Sequence, residues 1–270
     1  MKEVMKTKMK EVVKEKIKER IREREKSFTL SKILPSIITL LGLCVGLTAV
    51  RFAIDGYFIK ATTFVLVAGF LDGIDGRLAR FLNSTSEFGA QLDSLIDFVN
   101  FGIVPGFIIY TWVNHGGDPV KFSWAFVLFW AVCMSLRLAR FNVALNKQPK
   151  NEVLSTYFFS GIPAPCGAAL SMLPMVLFYE FGSELFFLKP KIVILYSTIL
   201  AVLVASRVPT ISIKKIPIRN EYFYLTLIIL GSIIVGLVVE PWLTLAAIGL
   251  IYITSIPVTI FAYLKISYSK

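Results

Sequence analysis

Apolar residues in this chain fall into eight long blocks, near positions 33–52, 59–80, 90–113, 122–141, 158–180, 191–206, 222–239 and 242–264. Each block approaches the roughly 20 residues a helix needs to cross a bilayer. The pattern predicts an all-α, polytopic membrane protein with about eight transmembrane helices. With the N-terminus inside, the inner connections are 83–87, 142–156, 207–221 and 265–270. The third carries Arg207, Lys214, Lys215 and Arg219, and the tail carries Lys265 and Lys270. The outer connections, near 55–60, 114–121, 182–189 and 240–241, mix both signs. The bias of Lys and Arg therefore favours an N-in/C-in topology. Small residues such as Gly42, Gly46, Gly161, Gly167 and Ala168 suit close helix packing in lipid.

Ahead of the first block, residues 2–26 are dense in Lys, Arg and Glu, with Val12, Val13, Ile17 and Ile21 as a thin apolar stripe. They have neither the long apolar core nor the cleavage site of a signal peptide. They read as a basic amphipathic helix on the cytoplasmic membrane surface or, alternatively, as a solvated and partly disordered extension. This divides the chain into a juxtamembrane segment, 1–30, and an integral membrane domain, 31–270.

Composition supports the membrane reading. The 270 residues are 56% hydrophobic, against about 45–50% in soluble domains. The net charge of +11 would suggest nucleic acid in a soluble protein. Here inner-loop bias and anionic headgroups explain it, and no nucleic-acid partner is expected. Cys44, Cys133 and Cys166 lie in apolar runs without CxxC spacing, which implies neither zinc nor a disulfide framework. His115, the single histidine, sits in a Gly-rich polar loop, so histidine-based catalysis is not expected.

One stretch breaks the apolar pattern. Residues 72–97 carry Asp72, Asp75, Asp93 and Asp97 between apolar segments. On a helix, Asp72, Asp75, Gly76, Ala79 and Arg80 share one face, and Gly89, Asp93 and Asp97 form a stripe on a second. The polar residues 83–87 turn the chain between them. Two helix ends with two carboxylates apiece would then face each other. An Asp at the centre of a membrane helix costs about 2.5–3.5 kcal/mol, less near the interface. Arg77 lies off the face and Arg80 is one charge against four. Hard divalent cations suit such oxygen ligands. A pair of them roughly 3.5–4 Å apart is the arrangement used for in-line displacement at phosphorus. Gly76 and Gly89 would let a phosphorylated group approach the backbone.

The spacing D-x2-D-G-x2-A-R-x8-G-x3-D-x3-D resembles the signature of the CDP-alcohol phosphatidyltransferase family at every fixed position: Asp72, Asp75, Gly76, Ala79, Arg80, Gly89, Asp93 and Asp97. The residues Asn100-Phe101-Gly102 with Pro105, Leu138-Ala139-Arg140-Phe141-Asn142 and 159–165 are similar to the membrane-type phosphatidylserine synthase branch. The resemblance covers roughly residues 33–170. In the first span Ser36 departs from it, standing where an asparagine often follows the proline.

The resemblance implies two ions, Mg²⁺ or Mn²⁺, held by the four aspartates, with Asp97 as the base. It implies a CDP pocket formed by Asp72, Asp75, Gly76, Ala79, Arg80, Gly89 and Asp93. The partners implied are CDP-diacylglycerol, L-serine and membrane lipids. A homodimer in a prokaryotic plasma (inner) membrane follows, its active site on the cytoplasmic side. Arg137, Arg140 and Asn100 are candidates for binding the serine carboxylate or lipid phosphates. Glycerol 3-phosphate or inositol phosphate are alternative acceptors in the same family. A metal-ion channel or transporter is an alternative of another class. It predicts carboxylates on several spans, whereas here they gather at one end of one hairpin.

Overall fold

The computed structural model describes residues 15–16, 30–117, 119–145, 158–182, 186–211 and 220–268. The N-terminal basic segment, apart from Glu15 and Lys16, lies outside them. So do most of the inner connections 142–156 and 207–221.

The described chain is mostly helical. Helix α1 (Leu30–Ile54) and helix α2 (Phe58–Phe81) form an antiparallel hairpin. Gly56 makes its turn at φ +79°, a conformation that favours glycine. Ala49, Ala53, Ala61 and Val65 are all buried, and their small size lets the two backbones approach. Helix α3 (Glu87–Asp97) runs without a break through a π-helical segment, Phe98–Ile103, into α4 (Val104–Val113). Helix α5 (Ser123–Leu145) returns along it.

Two prolines shape the interior in the same way. Pro105 has no N–H to give to the carbonyl of Phe101, four residues earlier. Trp130 of α5 donates its Nε1–H to that carbonyl at 3.0 Å. Trp130 and Phe101 are both 1% exposed, so the carbonyl would otherwise be buried without a partner. Pro174 likewise leaves the Leu170 carbonyl unpaired, and the Tyr196 hydroxyl donates to it at 2.8 Å. There the helix breaks into α6 (Ala164–Ser171) and α7 (Leu173–Phe181).

The stretch 158–180 is therefore not one helix, and the fold is not purely α. Residues Phe158–Ser160 form strand β1, paired antiparallel with β2 (Pro209–Ile211). The cause is local: Gly161 turns at φ +86°, and Pro163 and Pro165 follow it. Gly161 was expected to pack helices. Instead it shapes this turn, where a Cβ would lie 2.8 Å from the Ser206 carbonyl oxygen. Its N–H donates to Val208 O at 2.9 Å, and the Thr210 hydroxyl donates to its carbonyl at 2.9 Å.

Helix α8 (Pro190–Ala205) packs against α5 and α6. Helix α9 (Phe223–Val239) rests on α10 (Pro241–Tyr268), which packs against α7 and β2. Five helical segments are long and apolar enough to cross a membrane: Ile33–Ile54, Glu87–Val113, Ser123–Ala144, Ala164–Phe181 and Pro241–Phe261. Pro190–Ala205 and Phe223–Val239 are apolar but shorter. Helix α2 has the length but carries Lys60, Asp72, Asp75, Arg77 and Arg80. These segments mark an integral membrane protein.

Gly42 and Gly46 of α1 face Asn100, whose side chain is 2% exposed. A Cβ at position 46 would overlap the Asn100 amide. Gly46→Ala is therefore expected to cost about 1–3 kcal/mol of stability, the usual price of overpacking. In an Asn100→Ala background the same change should cost clearly less. Thermal unfolding of the four variants in detergent checks this, and equal costs in both backgrounds would contradict the contact.

Candidate active site

Two helix ends and the turn between them build the site. Helix α2 stops at Phe81, and Asn83 turns the chain at φ +49°. The Ser86 hydroxyl caps α3 by accepting the Gly89 N–H at 3.0 Å. This reversal sets the stripe of α3 against the face of α2. Asp72, Asp75 and Asp93 each bring a carboxylate oxygen within 4.8 Å of the others. Asp97 lies outside that trio, but its carboxyl is within hydrogen-bonding reach of the Asp72 carboxyl. All four predicted aspartates are thus brought together.

The cluster has the marks of a cation site. Asp75 is 4% exposed, and its Oδ2 is buried without a hydrogen-bond partner among the described residues. Its side chain lies beside the Thr39 hydroxyl of α1, which donates to Pro35 O at 3.0 Å. No Lys or Arg forms an ion pair with any of the four among the described residues. An orphaned carboxylate oxygen among other carboxylates suits a hard cation bound through oxygen.

The remaining motif residues divide. Position 76 opens onto space, with no heavy atom within 4 Å of where a Cβ would stand. Position 89 is closed, since a Cβ there would lie 3.1 Å from the capping Ser86 Oγ. Gly89 is thus explained locally by the cap. Ala79 is half-buried, and Arg80 is exposed with its Nε–H donated to Gly76 O at 2.9 Å, along its own helix.

Arg137 and Arg140 are both engaged with main-chain carbonyls. The Nε–H of Arg137 is donated to Ile162 O, and Nη2 of Arg140 donates to Ser206 O at 3.2 Å. Both arginines of α5 thereby grip the turn and loop that flank the two-stranded sheet. Arg137 also acts electrostatically on Asp97 and Asp72, without a direct ion pair to either. Asn100 lies in the π-helical segment and faces Gly42 and Gly46 of α1. Its Oδ1 is buried and unpartnered among the described residues.

Three features were not legible in the sequence. Thr39 stands beside Asp75. Ser94 and Asn142 tie α3 to α5 by hydrogen bonds of 2.9 and 3.2 Å. The Tyr252 hydroxyl of α10 is buried without a hydrogen-bond partner among the described residues. Asn142 closes the Leu138–Asn142 stretch named above, but its partner Ser94, like Thr39 and Tyr252, belongs to no spaced motif and is identified by its tertiary neighbours alone.

Comparison with known proteins agrees with the geometry. The sequence profile of the CDP-alcohol phosphatidyltransferase family matches residues 32–253. A Mycobacterium bovis protein named CDP-diacylglycerol--serine O-phosphatidyltransferase is 35% identical over 230 residues, covering 84% of this chain and 77% of its own. A Helicobacter pylori protein of the same name is 34% identical over 244 residues, covering 87% and 94%. A Bacillus subtilis protein of that name is 32% identical over 132 residues, covering 49% and 69%. With the aspartate motif inside the matched region and its carboxylates assembled in one cluster, the chain belongs to the CDP-alcohol phosphatidyltransferase family.

Proposed function

We propose that this enzyme transfers the phosphatidyl group of CDP-diacylglycerol to L-serine and releases CMP. The observation that carries this reading is the gathering of Asp72, Asp75, Asp93 and Asp97 at one end of α2 and α3. The shared name of the relatives supports serine as acceptor.

The four aspartates would hold two divalent ions, Mg²⁺ or Mn²⁺, which supply charge neutralisation at the pyrophosphate and polarise the phosphorus under attack. Gly76, Ala79, Arg80 and Gly89 line the CDP side, where the open space at Gly76 leaves room for the nucleotide. The serine hydroxyl oxygen forms a bond to the phosphorus that carries the diacylglycerol. The bond from that phosphorus to CMP breaks, and CMP leaves with the electron pair. The hydroxyl proton passes to Asp97, deepest of the four in its helix. A carboxylate is a weak base toward an alcohol, so the proton moves as the attack makes it acidic.

Arg137 keeps its terminal nitrogens for the serine carboxylate, a match for a planar guanidinium. Arg140, more peripheral, suits a lipid phosphate. We assign Asn100 to packing, because it faces Gly42 and Gly46. Glycerol 3-phosphate or inositol phosphate would bring a further phosphate. The two arginines near the cluster are already engaged with main-chain carbonyls, which favours the smaller acceptor.

All eight apolar stretches would cross the plasma membrane of a prokaryote, with both chain ends and the aspartates on the cytoplasmic side. The basic residues 2–26 would lie on anionic lipid, and the enzyme would act as a homodimer.

The function is tested by CMP release from CDP-diacylglycerol with a panel of acceptors. Serine should support turnover with Mn²⁺ or Mg²⁺, and excess EDTA should abolish it until metal is restored. Full activity in EDTA would exclude the metal-assisted reading, and turnover only with a phosphorylated acceptor would exclude serine. Asp97→Asn should keep CDP-diacylglycerol binding and slow single-turnover transfer by about 10²–10⁴-fold, the usual contribution of a positioned base. Asp72→Asn should weaken lipid binding as well. Near wild-type transfer by Asp97→Asn would remove Asp97 as the base. For topology, a cysteine at position 117 should label from outside intact cells, and one at 215 only after permeabilisation. The opposite pattern would invert the orientation.

A further inference from the structure

Helix α3 carries half of the aspartate cluster, yet little of it is buried. Ile96 is its one fully buried side chain, at 6% exposed, while Phe88 and Leu95 stand exposed. Ser94 supplies a second anchor. Its hydroxyl accepts a hydrogen bond from the Asn142 amide nitrogen at 2.9 Å and donates one back to the Asn142 amide oxygen at 3.2 Å. Asn142 lies in the last turn of α5, so the pair joins two helices across 48 positions of chain.

The places of these anchors on the helix give them a joint effect. An α-helix turns about 100° per residue. Counted from Ser94 in one sense, Asp97 lies about 60° round the helix, Asp93 about 100° and Ile96 about 160°. The carboxylate stripe is thus flanked by a buried apolar side chain on one side and a paired hydroxyl on the other. Burial of one isoleucine is non-directional and constrains the rotation of α3 only weakly. The two hydrogen bonds of Ser94 have preferred directions and constrain it strongly. The force they oppose is electrostatic. Before an ion binds, the carboxylates of Asp72, Asp75 and Asp93, with oxygens within 4.8 Å of one another, repel, and rolling α3 would separate them.

We propose that Ser94 and Asn142 are a positioning pair for the metal site: their hydrogen bonds fix the rotation of α3 and so keep Asp93 within reach of Asp72 and Asp75 before a divalent ion arrives. This rests on the divalent-ion reading given above and not on the identity of the acceptor. Neither side chain needs to touch the ion. When the ligands are already assembled, no binding free energy is lost in gathering them, so the affinity depends on a contact outside the cluster.

The test is Mn²⁺ binding to the full-length protein in detergent, stripped with EDTA and free of CDP-lipid, with unbound Mn²⁺ read by electron paramagnetic resonance. Ser94→Ala and Asn142→Ala should each raise the Mn²⁺ dissociation constant about tenfold, near the lower end of what losing the support around metal ligands costs. The double variant should bind within about twofold of either single one, because both changes remove the same pair. Ser94→Thr keeps the hydroxyl and should bind within about twofold of wild type. Melting temperatures without metal are measured alongside. A pair that only stabilised the fold would lower the melting temperature and leave the dissociation constant unchanged, and that result would overturn the proposal. Additive losses in the double variant would overturn it too, since the two side chains would then act separately. If the wild-type protein binds no Mn²⁺, the divalent-ion reading fails and the proposal falls with it. Wild-type binding with unaltered variants sinks the proposal alone.

Discussion

Four carboxylates held at one end of two adjacent helices repel one another, and desolvation in a membrane protein makes the repulsion stronger than in water. Nothing in the described chain neutralises them directly. Arg80 folds back onto Gly76 O, and Arg137 is held off by its bond to Ile162 O. Among the described residues, Asp75 Oδ2 is left buried with no donor at all. Such a cluster persists only if its surroundings over-determine it, and they do. The α1–α2 hairpin is closed by small residues, α3 is started by the Ser86 cap, and Ser94–Asn142 pins α3 to α5.

The interior around the cluster is built on interruptions to regular helix. Pro105 and Pro174 each leave a carbonyl unpaired, and Trp130 and Tyr196 each supply a side-chain donor from a neighbouring helix. In an apolar setting an unmet carbonyl is costly, so each proline ties two helices together as effectively as an apolar contact would. The π-helical segment that precedes Pro105 redirects the face of the helix below Asp97. Gly161, followed by Pro163 and Pro165, places a turn within reach of Arg137.

That turn links the front of the molecule to its back. Arg137 and Arg140 bind carbonyls on either side of the two-stranded sheet, and β2 packs on α10. The last helix thereby packs on the same sheet that the α5 arginines flank. The aspartates lie on the α2–α3 hairpin, apart from the sheet and α10.

Periodicity and spacing by themselves determined that this is a helical membrane protein, and that Asp72, Asp75, Asp93 and Asp97 form one site. Both follow from local rules: apolar block length sets a span, and i, i+3, i+4 recurrence sets a face. The motif was legible because all its members lie on two consecutive helices joined by a short turn. What lay beyond local rules was decided by tertiary structure. The π-helical segment after Asp97, and the packing of Asn100 against Gly42 and Gly46, left no mark in the spacing. The stretch 158–180 looked like one span by hydropathy, but Gly161 and the prolines around it made a strand, a turn and two short helices. Tyr252 is one tyrosine in an apolar helix, without any spacing to mark it. The helix that carries it is placed only by its packing against β2 and α7.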